Sequence, residues 1–492
     1  MNIRILQIAE CAGGVERYLQ MLLPRLDFHF RHPKEAEEIL KIVPIMNAIF
    51  KFLKYCLGYN IDMGKVIAKM DWRQLYTFVS NQAIIGFCFD GIERLGNEYS
   101  EELKKNPIER DLLMTWMGKA QQIRRQNTKV NTVASKLYSM LREDGLRCCI
   151  LKGQGNALMY PNVYSRNPGD IDVWVNASRS QITEYAKKHF EIGDDIRYHH
   201  IETSMDGVPV ELHFFPCSMN NPLYHARLQK WFRKNADLQC SHIVGLPDRA
   251  GDIAIPTSAF NVVYQLCHLY HHFFDEGIGM RQIIDYFLVV CDFYKVYQNS
   301  SKITPSLFTI KEGSTSHPDP LTLRGEGENR SARCSEPLRS KDGGPSKVSP
   351  NCAGWDRLSI EEDNSAGSTT AVTSSASTAL DVVQRELKYL GLWKFAGAVM
   401  YVLHETLGLS EEKMIAPMDE KRGELLLAEI LEGGNFGRHF TKYGGFTHQS
   451  MGKKYFLKIW RNMHFVRYYP AEALSEPIFR TWHFFWRMKN KK

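Results

Sequence analysis

Asp170 and Asp172 stand one residue apart in GDIDVWV (169–175), a stretch otherwise composed like a buried strand. On an extended chain, side chains i and i+2 point the same way. The two carboxylates therefore share one face, and Ile171 and Val173 take the other. Like charges this close shift one another's pKa unless something positive lies between them, and a divalent metal supplies that charge. A third acidic residue, Glu211, sits in VPVELHF (208–214), an apolar strand able to lie beside the first. Upstream, LKGQG (151–155) places a glycine turn between a strand and a helix. Backbone N–H groups at such a turn bind phosphate, and Lys152 adds a point charge. Lys152, Gly153 and Gly155 are thus the expected nucleotide contacts. Three carboxylates and a phosphate cradle are the parts that hold Mg²⁺ (or Mn²⁺) and a nucleoside triphosphate for in-line displacement by a hydroxyl.

Histidines gather around the same segments. His199 and His200 precede the hairpin, His213 follows Glu211, and His268, His271 and His272 fall on one helical stretch. His268 and His272 are i and i+4 and share a face, a spacing that suits a transition metal. No Glu or Cys accompanies them at motif spacing, so a core or hydrogen-bonding role is the leading expectation. Arg281 and Asp285, one helical turn apart, read by default as a surface ion pair. The aromatic tail RTWHFFWRMK (480–489) reads as a packed terminal helix, because nucleic-acid platforms interleave basic and aromatic residues across a sheet.

The elements that must position these residues follow from periodicity. Residues 71–95 and 109–143 carry apolar positions at helical spacing. RCCILKG and GDIDVWV are strands, SRSQITEYAKKHF is a helix capped by Ser178 or Ser180, and RYHHIETSMDGVPVELHFF is a hairpin turned at Asp206–Gly207. Residues 258–297 suggest two helices joined near Gly277–Gly279, and residues 39–59 an amphipathic helix or two. From 299 to 379 the composition collapses to Ser, Thr, Gly, Pro and charge, too little to offset the entropy of ordering. The expected organisation is a strand–turn–helix fragment at 1–27, a helical region at 28–143, an α/β core at 144–255, helices at 256–298, a disordered insert at 299–379 and a helical region at 380–492.

Composition bounds the rest. The 492 residues carry a formal net charge of +7, which suits an anionic substrate without demanding nucleic acid. No dedicated nucleic-acid domain is evident. Eleven scattered cysteines form no CxxC pair, and no signal-peptide pattern opens the chain, so a reducing, cytoplasmic location is expected. No run approaches the roughly 18 uninterrupted apolar residues of a membrane span.

Gly153, then D-h-D at Asp170 and Asp172, then h-E-h at Glu211 resemble the DNA polymerase beta-type nucleotidyltransferase superfamily. More closely, LKGQGNALMYPNVYSRNPGDIDVWV with HH…VELHF, and also HHFFDEGIGMRQIIDY and GLWKFAGAVMYVLHETLGL, resemble a bacterial nucleotidyltransferase group often found in surface-polysaccharide gene clusters. The resemblance runs from about residue 71 to the C-terminus, excluding the insert. It implies an α+β fold, with a small mixed-sheet nucleotidyltransferase core embedded in a mostly helical protein. It implies metal binding and catalysis by Asp170, Asp172 and Glu211, and an anion contact by Arg281. The partners it implies are a nucleoside triphosphate and a hydroxyl acceptor: a sugar or polysaccharide precursor, a protein side chain, or a nucleic-acid end. Two departures stand out. Gln154 replaces the superfamily's second Gly or Ser, and the longer gap before Asp170 accommodates an extra turn carrying Arg166, a further candidate nucleotide contact. A catalytically silent nucleotide-binding or regulatory module of the same fold is the alternative. Residues 1–27 resemble the opening of family-4 glycosyltransferases, which with the DxD keeps a glycosyltransferase as a third reading.

Overall fold

The computed structural model describes residues 33–193, 196–298, 372–440 and 450–490. The glycosyltransferase-like fragment and residues 299–371 of the expected insert lie outside the described residues. Strands β1 (Cys148–Leu151), β2 (Ile171–Val175), β3 (His200–Met205) and β4 (Val208–His213) form one sheet in the order β1-β2-β4-β3. β2 runs antiparallel to β1 and parallel to β4. β3 and β4 are the expected hairpin, turned at Asp206 (φ 51°) and Gly207 (φ 71°), a positive-φ pair that matches strand twist. A second, two-stranded sheet pairs β5 (Ile243–Gly245) with β6 (Asp252–Ala254).

The rest is helical. Before the main sheet come α1 (Pro33–Cys56), α2 (Trp72–Asn81), α3 (Ile85–Glu98) and α4 (Arg110–Glu143). Within and after it come α5 (Gly153–Ala157), α6 (Arg179–His189), α7 (Pro222–Gln239), α8 (Ser258–Asp275) and α9 (Met280–Gln298). The C-terminal part holds α10 (Val372–Tyr389), α11 (Trp393–Leu407), α12 (Glu420–Gly433), α13 (Met451–Met463) and α14 (Pro470–Asn490). This is the α+β architecture expected, a small mixed sheet inside a mostly helical protein.

Strand alternation splits the packing in two. Ile150, Ile171, Val173, Val210 and Leu212 point to one side and bury against Val133 and Leu137 of α4 and Ile182 of α6. Cys149, Leu151 and Trp174 point to the other and join the larger helical core. Trp174 stacks on Phe260 of α8, ring centroids 6.2 Å apart. Asp172, two residues back along β2, shares that second side.

Local signals explain the helix ends that matter. Ser178, not Ser180, caps α6 and forms a capping box with Gln181. α8 and α9 are separated by the expected glycines, and Gly279 is needed for close approach: a Cβ there would lie 2.8 Å from the Cα of Asn435. Residues 39–59 belong largely to the single helix α1. α10 begins at Val372, ahead of the expected boundary at 380. The tail packs on one face only. Tyr198 meets Phe479, Trp482 and Trp486 of α14, whereas Phe485 is 62% exposed. No helix among the described residues is long and apolar enough to cross a membrane.

Glu472 ties α14 to the segment after the main sheet. Its buried carboxylate accepts the backbone N–H groups of Asn220 (2.6 Å) and Asn221 (3.2 Å), and burial pushes its carboxyl up to about 7. Between the ordinary value of 4.5 and that figure, the native state holds a proton the unfolded chain has released, so stability falls as pH rises through this window. Glu472→Gln, which does not titrate, should therefore gain about 2–3 kcal/mol relative to the wild type between pH 5 and pH 8. Urea unfolding of both proteins at the two pH values measures it; a stability difference that stays constant with pH would exclude the buried titration.

Candidate active site

The register of β2 and β4 places Asp172 directly beside Glu211. Asp170 stands one residue before β2, on the same side as Asp172. Carboxylate oxygens of all three lie within 4.8 Å of one another, and the three line a cavity of about 650 Å³. Asp172 is 6% exposed, while Asp170 is exposed.

A buried carboxylate is stable only if something compensates it. Lys152 Nζ lies 3.0 Å from Asp172 Oδ2. His213 Nε2–H donates to Asp172 Oδ1 (2.9 Å) and to Glu211 Oε2 (3.1 Å). Burial opposes ionisation of Asp172, but Lys152 and His213 outweigh it and hold the carboxyl well below the usual range. Burial likewise works against a charged His213 ring, and the hydrogen bonds to Asp172 and Glu211 win, raising it to about 9. The Asp172 charge, with burial and Glu211 behind it, pushes Asp170 up to about 6. Three carboxylates thus face one cavity, with two cations holding the inner oxygens.

Lys152 reaches Asp172 because the chain turns sharply after β1. Its backbone sits at φ 50° and ψ −121°, a region side-chain-bearing residues seldom occupy. Its Nζ also donates to His268 Nε2 (2.8 Å), and His272 Nε2 lies 3.1 Å from that same nitrogen. The i, i+4 histidines therefore serve hydrogen bonding, as expected, and belong to no cluster of three metal-ligating side chains among the described residues. Gly153 (φ 34°) lines the cavity. Gly155 does not: a Cβ there would lie 3.1 Å from Ile255 Cγ2, so this glycine serves packing. Gln154 is buried and donates to Asn131 of α4, pointing away from the carboxylates.

The long gap before Asp170 is a pinned loop. Asn127 Nδ2 donates to the carbonyls of Tyr164 and Arg166, both at 2.8 Å. Gly86 lies under Ser165, where a Cβ would come 2.4 Å from the Ser165 carbonyl oxygen. Arg166 lines the cavity, but its guanidinium is engaged. Nε donates to Asp285 Oδ1 (2.9 Å) and Nη2 to Oδ2 (2.8 Å), and Tyr160 Oη donates to Oδ1 (2.8 Å). The surface pair read between Arg281 and Asp285 is therefore corrected: Asp285 is 5% exposed and its partner is Arg166. Arg281 lines the cavity with no ion pair among the described residues. Its Nη1 donates to the Asn167 carbonyl (3.3 Å), and its buried Nε has no partner.

Part of the cavity wall had no signal in the sequence. Arg438, Lys458 and Arg461 reach it from the C-terminal helical region. Lys458 and Arg480 both pair with Asp275 at the end of α8, at 3.2 and 3.0 Å. Nothing in local spacing connects residues so far apart. His200, expected just before the hairpin, is instead the first residue of β3 and lies 3.1 Å from Glu211.

Residues 68–297 match a family model described as "Uncharacterised nucleotidyltransferase". No curated protein and no solved structure matches the chain significantly. The match bears on the nucleotidyltransferase resemblance; it does not reach residues 1–27.

Asp285→Ala would leave the Arg166 guanidinium buried and unpaired. It should destabilise the protein by about 3–5 kcal/mol, read from the urea midpoint at constant m-value. A loss under about 1 kcal/mol, the worth of an exposed pair, would mean that the pair does not hold the loop.

Proposed function

We propose that this chain transfers a nucleotidyl group from a nucleoside triphosphate to a hydroxyl acceptor, with a divalent cation, releasing pyrophosphate. The observation that carries the reading is the convergence of Asp170, Asp172 and Glu211 on one cavity. The family match over residues 68–297 supports it. Carboxylate oxygens are the donors hard cations select, so the set fits Mg²⁺ or Mn²⁺. When bound, the cation supplies neutralisation of phosphate charge and alignment of the attacking and leaving oxygens.

The chain's own groups provide the rest. Arg281, a guanidinium with no ion pair among the described residues, suits phosphate oxygens. The acceptor hydroxyl attacks the α-phosphorus as the bond to the bridging oxygen of pyrophosphate breaks. Glu211 accepts the hydroxyl proton and returns it to solvent. Lys152 and Gly153 line the phosphate side, while Arg166 acts by holding the loop that carries Asp170. The acceptor is a sugar or polysaccharide precursor or a protein hydroxyl. A cytoplasmic location fits the described cysteines, which are free thiols.

One observation favours a second reading, nucleotide binding without turnover: Lys152 and His213 already contact the inner carboxylate oxygens. One assay separates the two. Each α-labelled triphosphate is offered with Mg²⁺ or Mn²⁺ and a panel of hydroxyl acceptors, and pyrophosphate is measured. Asp172→Asn should lower turnover by about a hundredfold or more, since charge neutralisation and alignment supply most of the rate in such transfers. His213→Ala should fall between Asp172→Asn and the wild type. Equal rates for Asp172→Asn and wild type, on a donor the wild type consumes, would remove the aspartates from the chemistry. Tight binding of a metal–triphosphate with no product from any donor would favour the silent module.

A further inference from the structure

The β3–β4 hairpin carries more polar chemistry than nucleotidyl transfer requires. His213 lies directly across the ladder from His200, and Glu211 across from Glu202. Alternation on β4 puts Glu211 and His213 on one face, and the cross-strand pairing adds His200 to it. His200 Nδ1 and His213 Nε2 each lie 3.1 Å from the same oxygen, Glu211 Oε2. Donor atoms of all three residues fall within 4.8 Å of one another. Ligand atoms each about 2.1 Å from a common ion stand roughly 3.0–3.4 Å apart. The hairpin has nearly that spacing built in.

Hydrogen bonding does not account for His200. The residue is 3% exposed, faces the cavity, and neither ring nitrogen has a hydrogen-bond partner among the described residues. A buried polar group left in that state costs about 1–3 kcal/mol unless something satisfies it. The nearby histidines differ: His268 is engaged by Lys152 and His272, and His213 by two carboxylates. His200 Nε2 stands 3.5 Å from Glu202 Oε1, placed to orient the ring if Nδ1 is the ligand, an outer-shell arrangement common to metal-binding imidazoles.

We propose that His200, Glu211 and His213 form a site for a first-row transition metal such as Zn²⁺, adjoining the carboxylate cluster and sharing Glu211 with it. Two imidazoles and one carboxylate select such an ion over Mg²⁺ or Ca²⁺. On binding, the metal takes the place of the Nε2 proton of His213, which passes to solvent. Three protein ligands on a cavity wall leave a coordination position for water or a bound anion, the pattern of a reactive rather than a structural site. The site rests on the hairpin's geometry and stands whether or not nucleotidyl transfer occurs.

Co²⁺ serves as the probe, because its visible absorption reports nitrogen coordination. The full-length protein is stripped with chelator, dialysed, and titrated with Co²⁺ in excess Mg²⁺. The wild type should bind one equivalent, which Zn²⁺ displaces and Mg²⁺ does not. His200→Asn should weaken binding by about tenfold or more, as loss of one ligand in three implies, while Asp170→Asn keeps the spectrum. His200→Cys replaces one donor by another and should add a thiolate-to-cobalt charge-transfer band, a readout that does not depend on His200→Asn folding well. Three results would overturn the site: no binding by the wild type, a spectrum lost in Asp170→Asn but kept in His200→Asn, or no new band in His200→Cys.

Discussion

Much of this molecule depends on keeping one carboxylate charged inside it. Asp172 lies on a strand whose other residues are core, and its ionisation is held by Lys152 on one oxygen and His213 on the other. Each partner makes its own structural demand. Lys152 must leave β1 through a positive-φ turn to point back at the sheet. His213 must follow Glu211 by two on a strand parallel to β2, so that both face the same side. The mixed topology, two antiparallel ladders flanking a parallel pair, satisfies both demands together. Local conformational strain and long-range pairing thus serve one electrostatic purpose.

The sheet was legible in the sequence because its signals are local. Alternation in GDIDVWV and VPVELHF fixes which side chains share a face, and Asp206–Gly207 fixes the hairpin turn. The carboxylate cluster followed from the same alternation, with adjacency of the two strands as the added assumption. What escaped depends on contacts between distant segments. Arg166 stands in the expected loop, but nothing near it in sequence names Asp285 as its partner. Gly155 looked like part of a phosphate turn, yet Ile255 occupies the space beside it. The cationic wall from Arg438, Lys458 and Arg461 has no motif at all; it exists because the C-terminal helices fold back over the cavity.

The two rows of histidine illustrate how spacing alone can mislead. His268 and His272 have the separation that suits a metal on a helix, but Lys152 and His272 both converge on His268 Nε2. His200 and His213 share no spacing motif, yet a hairpin turned at Asp206–Gly207 makes them direct neighbours. A helix shows its neighbours at fixed intervals, whereas a strand's neighbours are chosen by register. Ligand sets built across strands are therefore harder to read from a single chain.

The interval 299–371 separates two stretches of helix without separating two bodies. Val383 and Leu387 of α10, with Val399 and Leu403 of α11, belong to the same buried cluster as Phe260 and Val263 of α8 and Phe52 of α1. The long break in sequence is thus not a seam in the solid. A nick anywhere inside that interval would yield two polypeptides still joined by one shared interior, and neither piece could keep its apolar surface covered after release. Covalent continuity and mechanical continuity part company at this point, and the second is the one that holds the helical walls together.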